Sequence, residues 1–333
     1  MNYKDTLTYS DIKEIPYLLR NFKIETHGKT DLKSKDGEVF LLGRGSSGNA
    51  TIFAKYVWEI YCGVIVNFIH PHSIFNAQKK LNFKNKTVWS FSQSGKSTDI
   101  VECSKKLKKW GAEIISVTNE PDIKKNPLAK ISDFHILLSS SKEIPVAATK
   151  SFALQMYCAL KTALLWNGKI SKKETEKLPD LCEKLIDSFE KKYKENKISE
   201  ILKKSSMIGF VGRGPFNAVA EDSALKFREM AFRHSFGYSA AEFLHGPVGA
   251  YGKKDLVFIL SSKKELTEDL KKVAEKLKER KTPYKILNPF CDSYPFNALL
   301  TDIFLKLCAL KHACERGINP DYPKGLSKVT KTI

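Results

Sequence analysis

Lys226 and Glu229 stand three residues apart in a segment with helical periodicity, so both lie on one face and can jointly address one small molecule. A carboxylate beside an ammonium, followed by the loop histidine of Glu242-Phe243-Leu244-His245-Gly246-Pro247, is a set of groups for moving protons on an anion. The same residues are compatible with an inert surface ion pair plus a structural histidine. A second stretch, Ser92-Gln93-Ser94-Gly95-Lys96-Ser97-Thr98-Asp99, follows a strand-like run and opens a helix. Hydroxyls and amides gathered at a helix N-terminus make a phosphate cradle, because unpaired N–H groups and the helix dipole both favour an anion. Simple capping needs one hydroxyl, whereas four hydroxyl residues and a glycine fall within seven positions here. The spacing GxxxxGK[ST] is absent, so this is not a P-loop.

These groups must be held by a parallel α/β scaffold. A strand at Glu38 to Leu42 enters Gly43-Arg44-Gly45-Ser46-Ser47-Gly48, apolar positions then recur at helical spacing, and a second strand runs from Val64 to Ile69. The loop matches GxGxxG, but a dinucleotide site also needs an acid at the end of the second strand, and Phe68-Ile69-His70-Pro71-His72 stands there. The glycines therefore read as a tight turn bringing backbone amides to an anion. His70 and His72 lack a third metal ligand nearby. Further strands are expected at Thr87 to Phe91, Glu113 to Val117 and Phe134 to Leu138. Glu143-Ile144-Pro145-Val146-Ala147-Ala148-Thr149-Lys150-Ser151 then leads into an apolar helix ending near Leu165.

The design then repeats. FLLGRGSSGNA at 40–50 and FVGRGPFNAV at 210–219 share the order strand, GRG loop, Asn-Ala, about 170 positions apart, which points to an internal duplication. The second copy continues with a helix, a loop carrying Glu242 and His245, a strand at Asp255 to Leu260 and a helix at Leu266 to Lys278. A short strand near Tyr284 to Leu287 and a helix at Asn297 to Arg316 complete it. Before the first copy, Ile12, Ile15, Leu18 and Leu19 mark an amphipathic helix lying on a neighbour or on a second subunit. The expected division is an N-terminal helical segment at 1–34, a first domain at 35–170, a charged helical connector at 171–204, a second domain at 205–317 and a tail at 318–333. A Gly-, Pro- and Lys-bearing tail either frays or closes over a ligand.

The formal charge of +19 raises nucleic acid as a partner, yet the lysines are spread along amphipathic helices, as in Lys105, Lys106, Lys108 and Lys109. An anionic small substrate accounts for the charge more simply, and nucleic acid is not expected as a partner. Seven cysteines are scattered with no CxxC pair, which fits a reducing cytoplasm rather than a disulfide framework or zinc ribbon. No signal-peptide core or membrane span is apparent, and no metal or cofactor is implied.

Five motifs in order, Ser92-Gln93-Ser94-Gly95, Val146-Ala147-Ala148-Thr149-Lys150, Ala224-Leu225-Lys226-Phe227-Arg228-Glu229, Glu242 to Pro247 and the tail Pro323 to Thr330, resemble the double sugar-isomerase (SIS) family. The likeness is to the isomerase half of glucosamine-6-phosphate synthase and to its stand-alone deaminase relatives, with the 16-residue step from Glu229 to His245 preserved. It implies two tandem SIS domains, each a parallel-sheet αβα sandwich of flavodoxin-like type. By resemblance, the loop with Ser92, Gln93, Ser94 and Ser97 binds the sugar phosphate with help from Ser47, and Ala148 lies in a further substrate-binding motif. Glu229 is then the base moving a proton between C1 and C2 of the open-chain sugar, and Lys226 handles charge at the neighbouring oxygen. His245 opens the ring and comes from the partner subunit of a homodimer, while Lys328 of the tail reaches the sugar in the closed state.

Departures from the synthase narrow the expectation. Nothing resembling its glutaminase precedes residue 35, so glutamine is not expected as nitrogen donor within this chain. Lys96 stands where the synthase has Glu and Ala148 where it has Ser, as in the deaminase-like members, and Phe236 replaces an acid common in the family loop. The expected reaction is deamination of glucosamine 6-phosphate to fructose 6-phosphate and ammonia. Ammonia-dependent synthesis, fructosamine-6-phosphate deglycation and galactosamine-6-phosphate deamination use the same chemistry, and a non-catalytic sugar-phosphate sensor is the alternative of another class.

Overall fold

The computed structural model describes residues 1–25, 32, 37–139, 141–263, 265–291 and 293–328. In chain order the elements are α1 (Leu7–Asn21), β1 (Glu38–Leu42), α2 (Gly45–Cys62), β2 (Ile65–Phe68), α3 (Pro71–Phe75), β3 (Thr87–Phe91), α4 (Thr98–Lys109), β4 (Glu113–Thr118), α5 (Pro127–Ile131), β5 (Phe134–Leu137) and α6 (Lys150–Leu165). They continue with α7 (Lys172–Asp187), α8 (Phe189–Glu195), α9 (Ile198–Lys204), β6 (Ile208–Gly212), α10 (Phe216–Ala231), β7 (Ser235–Ser239), α11 (Ala240–Leu244), β8 (Leu256–Leu260), α12 (Glu268–Glu279), β9 (Tyr284–Leu287) and α13 (Tyr294–Glu315). Two compact units result. One gathers residues 1–17, 144–149 and 176–326; the other gathers 18–143 and 150–175 together with the chain from 327 onward.

The unit holding β1 to β5 contains a parallel sheet of order β2-β1-β3-β4-β5. All five residues of β3 are buried, as expected of a strand covered on both faces. Alternation along it sends Val88 into a core with Ile100, Leu107 and Ile114 from α4 and β4. Its neighbour Trp89 meets Trp58 of α2 and Trp166 at ring separations of 4.9 and 5.8 Å. Trp58 Nε1 donates to the Ala159 carbonyl at 3.0 Å, tying α2 to α6. Helices on both faces make this a three-layer sandwich.

The other unit repeats the pattern with four parallel strands, β7-β6-β8-β9. Numbered within its own unit, each sheet begins with the order 2-1-3-4. On one face Phe210 of β6 stacks on Phe258 of β8 and packs on Phe227 of α10 at 5.3 and 5.2 Å. Val211, Val257 and Ile259 look the other way, toward Leu270, Val273 and Leu277 of α12. The glycines ending the first strand of each unit serve one purpose: a Cβ on Gly43 would come within 2.8 Å of the Ser47 carbonyl oxygen, and one on Gly212 would overlap the Phe216 carbonyl. In both turns the chain enters its helix too tightly for a side chain.

One expectation needs correction. The stretch after α10 is not a loop: Ser235–Ser239 is the edge strand β7, in register with β6 from Ile208↔Ser235 to Gly212↔Ser239, and Glu242 lies in the short helix α11. The Gly and Ser content of SFGYS hides the strand, because its pairing to β6 rather than its own propensity holds it extended. Ile12, Ile15, Leu18 and Leu19 of α1 are all buried within the chain itself, so the apolar stripe is already satisfied. The start of α1 is capped from the distant end of the chain: Asp321 accepts from the Leu7 and Thr8 amides at 2.9 and 2.8 Å and from the Thr8 hydroxyl at 2.6 Å.

All seven cysteines are free thiols. Burial pushes the Cys103 and Cys158 thiols up to about 12, which keeps them as inert core residues. No helix among the described residues is long and apolar enough to cross a membrane.

Near the C-terminal ends of α9 and α13, Arg233 Nη1 lies 2.8 Å from His312 Nε2; a guanidinium only donates, so this imidazole nitrogen accepts and the ring is neutral. The two residues line a cavity of about 290 Å³ with Lys203 and Arg316. Burial, with Arg233, Arg316 and Lys203 adding to it, pulls His312 down from its ordinary value of 6.5 to about 3. A folded-state value below the unfolded one gives stability that is complete above about pH 6.5 and is lost as pH falls toward about 3. Thermal melts should therefore show a steady fall in Tm as pH drops from about 6.5 to 4, and His312→Gln should lose roughly 5 °C less over that window. Parallel curves for the two proteins would refute it.

Candidate functional site

In a parallel sheet of order 2-1-3-4-5, crossovers leave in opposite directions from the two central strands, and the crevice at their carboxyl ends is where ligands settle. For β1 and β3 the segments at that switch point are Gly43-Arg44, running into the first turn of α2 with Ser47, and the loop Ser92–Ser97. Both open directly into helices, α2 and α4, so two positive helix ends meet at one edge of one sheet.

The second loop is shaped by contacts on both sides. The Ser92 amide donates to the Val117 carbonyl at 3.1 Å, and the Asn119 amide donates to the Gln93 carbonyl at 2.9 Å. Gly95 adopts φ +65°, and a Cβ there would overlap Asn126 Oδ1, so glycine is required twice over. Asn126 in turn bonds Thr118 Oγ1 at 2.7 Å and caps α5 through the Ala129 amide at 3.1 Å. Ser92 is buried with its Oγ 3.5 Å from that of Ser97, whereas Gln93, Ser94 and Ser97 are half-buried. Ser97 is the N-cap of α4, yet its hydroxyl makes no cap bond, so the hydroxyl is not spent on the helix. Ser47, in the first turn of α2, accepts from Gln155 Nε2 at 3.0 Å.

An acid in the first turn of α4, Asp99, would repel an anion if left bare. Arg44 prevents this, its Nε bonding Asp99 Oδ2 at 2.8 Å. The other unit carries the same clasp, Arg213 Nε to Asp269 Oδ2 at 2.8 Å, from the same positions: the GRG turn and the second residue of the helix after the third strand. There, however, Tyr294 Oη bonds the Arg213 carbonyl at 3.2 Å and occupies the space a Gly214 Cβ would need.

The unit with β6 to β9 holds the other group of candidates. Lys226 is buried on α10, and its ammonium pairs with Glu229 Oε2, one turn on and about a quarter exposed. Beneath them lies an ionic cluster that the sequence reading did not single out. Lys306 of α13 bonds Asp302 at 2.6 Å and pairs with Asp222 of α10 at 3.2 Å, all three side chains being wholly buried. Asp222, Lys226 and Glu229 follow the i, i+4, i+7 spacing of one helix face. Burial pushes the Asp302 carboxyl up to about 7; the Lys306 ammonium opposes this and the Asp222 carboxylate adds to it.

The remaining candidates are not joined to these groups by any hydrogen bond or ion pair described. His245 caps the C-terminal end of α11 and is exposed, with no partner for its ring among the described residues. Ala148 is half-buried in the segment before α6. Lys328 bonds Glu143 Oε2 at 3.1 Å, and the buried Glu143 also receives the Ser151 amide and hydroxyl at 3.1 and 2.7 Å. Of the expected tail, Val329 to Ile333 lie outside the described residues. Among the described residues no group of three His, Cys, Asp or Glu is placed to hold a metal ion.

Comparison with known proteins places this arrangement. The chain is 30% identical over 316 residues to the isomerizing glutamine–fructose-6-phosphate aminotransferase of Sulfolobus acidocaldarius, covering 90% of this chain and 50% of that protein. It spans about half the length of the curated relatives it matches. Glucosamine-6-phosphate deaminase from Thermotoga maritima superposes with a TM-score of 0.80 at 24% identity, covering 98% of this chain and 100% of that one. For the C-terminal domain of glucosamine-fructose-6-phosphate aminotransferase from Francisella tularensis the TM-score is 0.77 at 22% identity, covering 96% and 98%. Residues 32–164 and 201–293 each match the SIS domain. The two matches fall one on each parallel sheet, and the chain belongs to the SIS-domain family, the sugar-phosphate isomerase fold in tandem.

Proposed function

We propose that the protein is an enzyme that deaminates glucosamine 6-phosphate to fructose 6-phosphate and ammonia. The observation that carries this reading is the Lys226–Glu229 pair: a carboxylate about a quarter exposed, fixed on a helix face by a buried ammonium. Such a carboxylate can take a proton from C2 of the open-chain amino sugar and return it to C1; with a proton passing from the amine nitrogen to the C1 oxygen, this converts the aldehyde and amine into an alcohol and an imine. Water then adds to the imine, and ammonia leaves. One base serves both transfers, and the ammonium stabilises the negative charge that develops on the neighbouring oxygen.

The other candidates take the roles that this chemistry leaves open. The loop Ser92, Gln93, Ser94 and Ser97, with Ser47, holds the phosphate, which does not react but fixes where C1 and C2 lie. Ala148 contributes to the sugar contacts. His245 opens the ring, because an imidazole exchanges protons near neutral pH, and it serves the partner's sugar in a homodimer. Lys328 leaves Glu143 to reach the substrate when the tail closes. Every step is a proton transfer, the addition of water or the loss of ammonia, within reach of side chains alone, in a cytoplasmic setting. The similarity to a solved glucosamine-6-phosphate deaminase and to isomerizing glutamine–fructose-6-phosphate aminotransferases supports the choice of substrate.

Purified protein supplied with glucosamine 6-phosphate, without glutamine, should release ammonia and fructose 6-phosphate in equal amounts. Release from galactosamine 6-phosphate or a fructosamine 6-phosphate alone would move the assignment to that sugar. Binding of phosphosugars without exchange of the C2 proton in deuterated water would make the protein a sensor.

A further inference from the structure

We propose that the cavity lined by Lys203, Ser205, Ser206, Arg233, His312 and Arg316 is an anion site that takes a phosphate group, free or carried by a small metabolite. Nothing in it depends on the proposed reaction, and its residues are not those of the Ser92–Ser97 loop. The cavity holds about 290 Å³, with Arg233 and His312 as its buried side and Lys203, Ser206 and Arg316 as its exposed one. A buried guanidinium is ordinarily paired with a carboxylate. Neither Arg233 nor Arg316 has such a partner among the described residues. Arg233 donates to the Leu202 carbonyl at 2.8 Å, to the Ser205 carbonyl and hydroxyl, to the Ser206 carbonyl at 3.4 Å and to His312 Nε2 at 2.8 Å. Arg316 Nη1 donates to the carbonyl of Ala231, the last residue of α10. These dipoles at helix ends hold the two guanidiniums in place without supplying a counter-ion.

The surroundings are positive. Burial and then Arg316 lower Arg233 from its ordinary value, and burial followed by Arg233, Arg316 and Lys203 lowers His312. Glu315, beside Arg316 in the chain, accepts from the Ser199 hydroxyl at 2.6 Å and meets Lys203 at 3.8 Å, which leaves both guanidiniums to an incoming anion. With Nη1 on Ala231, Arg316 keeps Nε and Nη2 without partners among the described residues. That edge presents the parallel N–H pair that fits two oxygens of one phosphate. The Lys203 ammonium and the Ser206 hydroxyl stand on the same side of the cavity. His312 Nδ1, which carries the proton of a ring whose Nε2 accepts, is a buried donor with no acceptor among the described residues. Two guanidiniums and an ammonium match the double charge of a phosphate better than the single charge of a carboxylate. An occupant held by Arg316 would lie against the end of the helix that carries Lys226 and Glu229.

The His312 ring is a local reporter, and its NMR signal is identified by its absence from His312→Gln. Titration with inorganic phosphate, at an ionic strength held constant with chloride, should shift that signal along a saturable curve. Arg316→Gln should raise the Kd read from it at least about 10-fold, and Lys203→Gln about threefold. Should Arg316→Gln fail to fold because Ala231 loses its partner, Lys203→Gln decides alone, its side chain being more than half exposed and holding no helix end. Gly95→Ala, which alters the other loop, should leave the titration unchanged. Glucosamine 6-phosphate as titrant separates the two sources of the group: a Kd near that of phosphate means that the phosphate alone is bound, and a clearly lower one that the sugar contributes. If the cations do no more than cap helix ends, phosphate and chloride act alike. No saturation by phosphate, saturation untouched by both substitutions, or its loss in Gly95→Ala would overturn the site. Equal affinity for acetate would overturn the assignment to phosphate.

Discussion

Glu229→Gln should reduce turnover of glucosamine 6-phosphate by roughly 10²–10⁴-fold while leaving sugar-phosphate affinity within a few-fold of the wild type. The amide keeps the size of the carboxylate and can still face the Lys226 ammonium through its oxygen, so α10 keeps its packing. What it loses is the ability to hold a proton between removal from C2 and delivery to C1. The measurement is kcat and KM from ammonia release, together with exchange of the C2 proton in deuterated water. A variant that still exchanges that proton at the wild-type rate would remove Glu229 from the role of base. A variant that fails to bind would instead make Glu229 a substrate-binding residue.

Gly95→Ala should test the loop proposed to hold the phosphate. Its backbone lies in the left-handed region, and the added methyl would strike the Asn126 side chain, which is fixed by Thr118 and by its cap on α5. Strain of this kind costs on the order of 1–3 kcal/mol, and the chain relieves it most cheaply by shifting the exposed loop rather than the buried cap. The loop proposed to hold the phosphate then shifts. We expect KM for the sugar phosphate to rise about 10- to 100-fold with a smaller change in kcat, and inorganic phosphate to lose most of its power as a competitive inhibitor. Asn126→Gly in the same background removes the obstacle and should restore part of the affinity. Unchanged KM in Gly95→Ala would mean that the loop does not hold the phosphate.

Much of this scaffold is legible from residue patterns. Buried parallel strands are short apolar runs bounded by polar turns, so the limits of β1, β3 and β9 coincide with the expected ones. The GRG turns are legible because a strand that enters a helix at once needs glycine. What escapes is whatever depends on partners distant in the chain. β7 contains too much Gly and Ser to read as a strand until β6 lies beside it. The clasp of Arg44 on Asp99 joins residues 55 apart, and Glu143 finds Lys328 185 residues away. The Asp302–Lys306 pair was in principle visible as two charges one turn apart in an apolar helix. Its third partner, Asp222, comes from α10, about 80 residues earlier in the chain.

The cap that Asp321 places on α1 bears on how the protein is made. Its bonds to the Leu7 and Thr8 amides span 314 and 313 residues, so in a nascent chain α1 stays uncapped until Asp321 has emerged from the ribosome. The unit built on β6 to β9 takes residues from the beginning, the middle and the end of the chain, whereas the one built on β1 to β5 has all its strands and helices by residue 175. Synthesis thus delivers the strands and helices of the β1–β5 unit before the segment that caps α1 and completes the unit bearing Lys226 and Glu229.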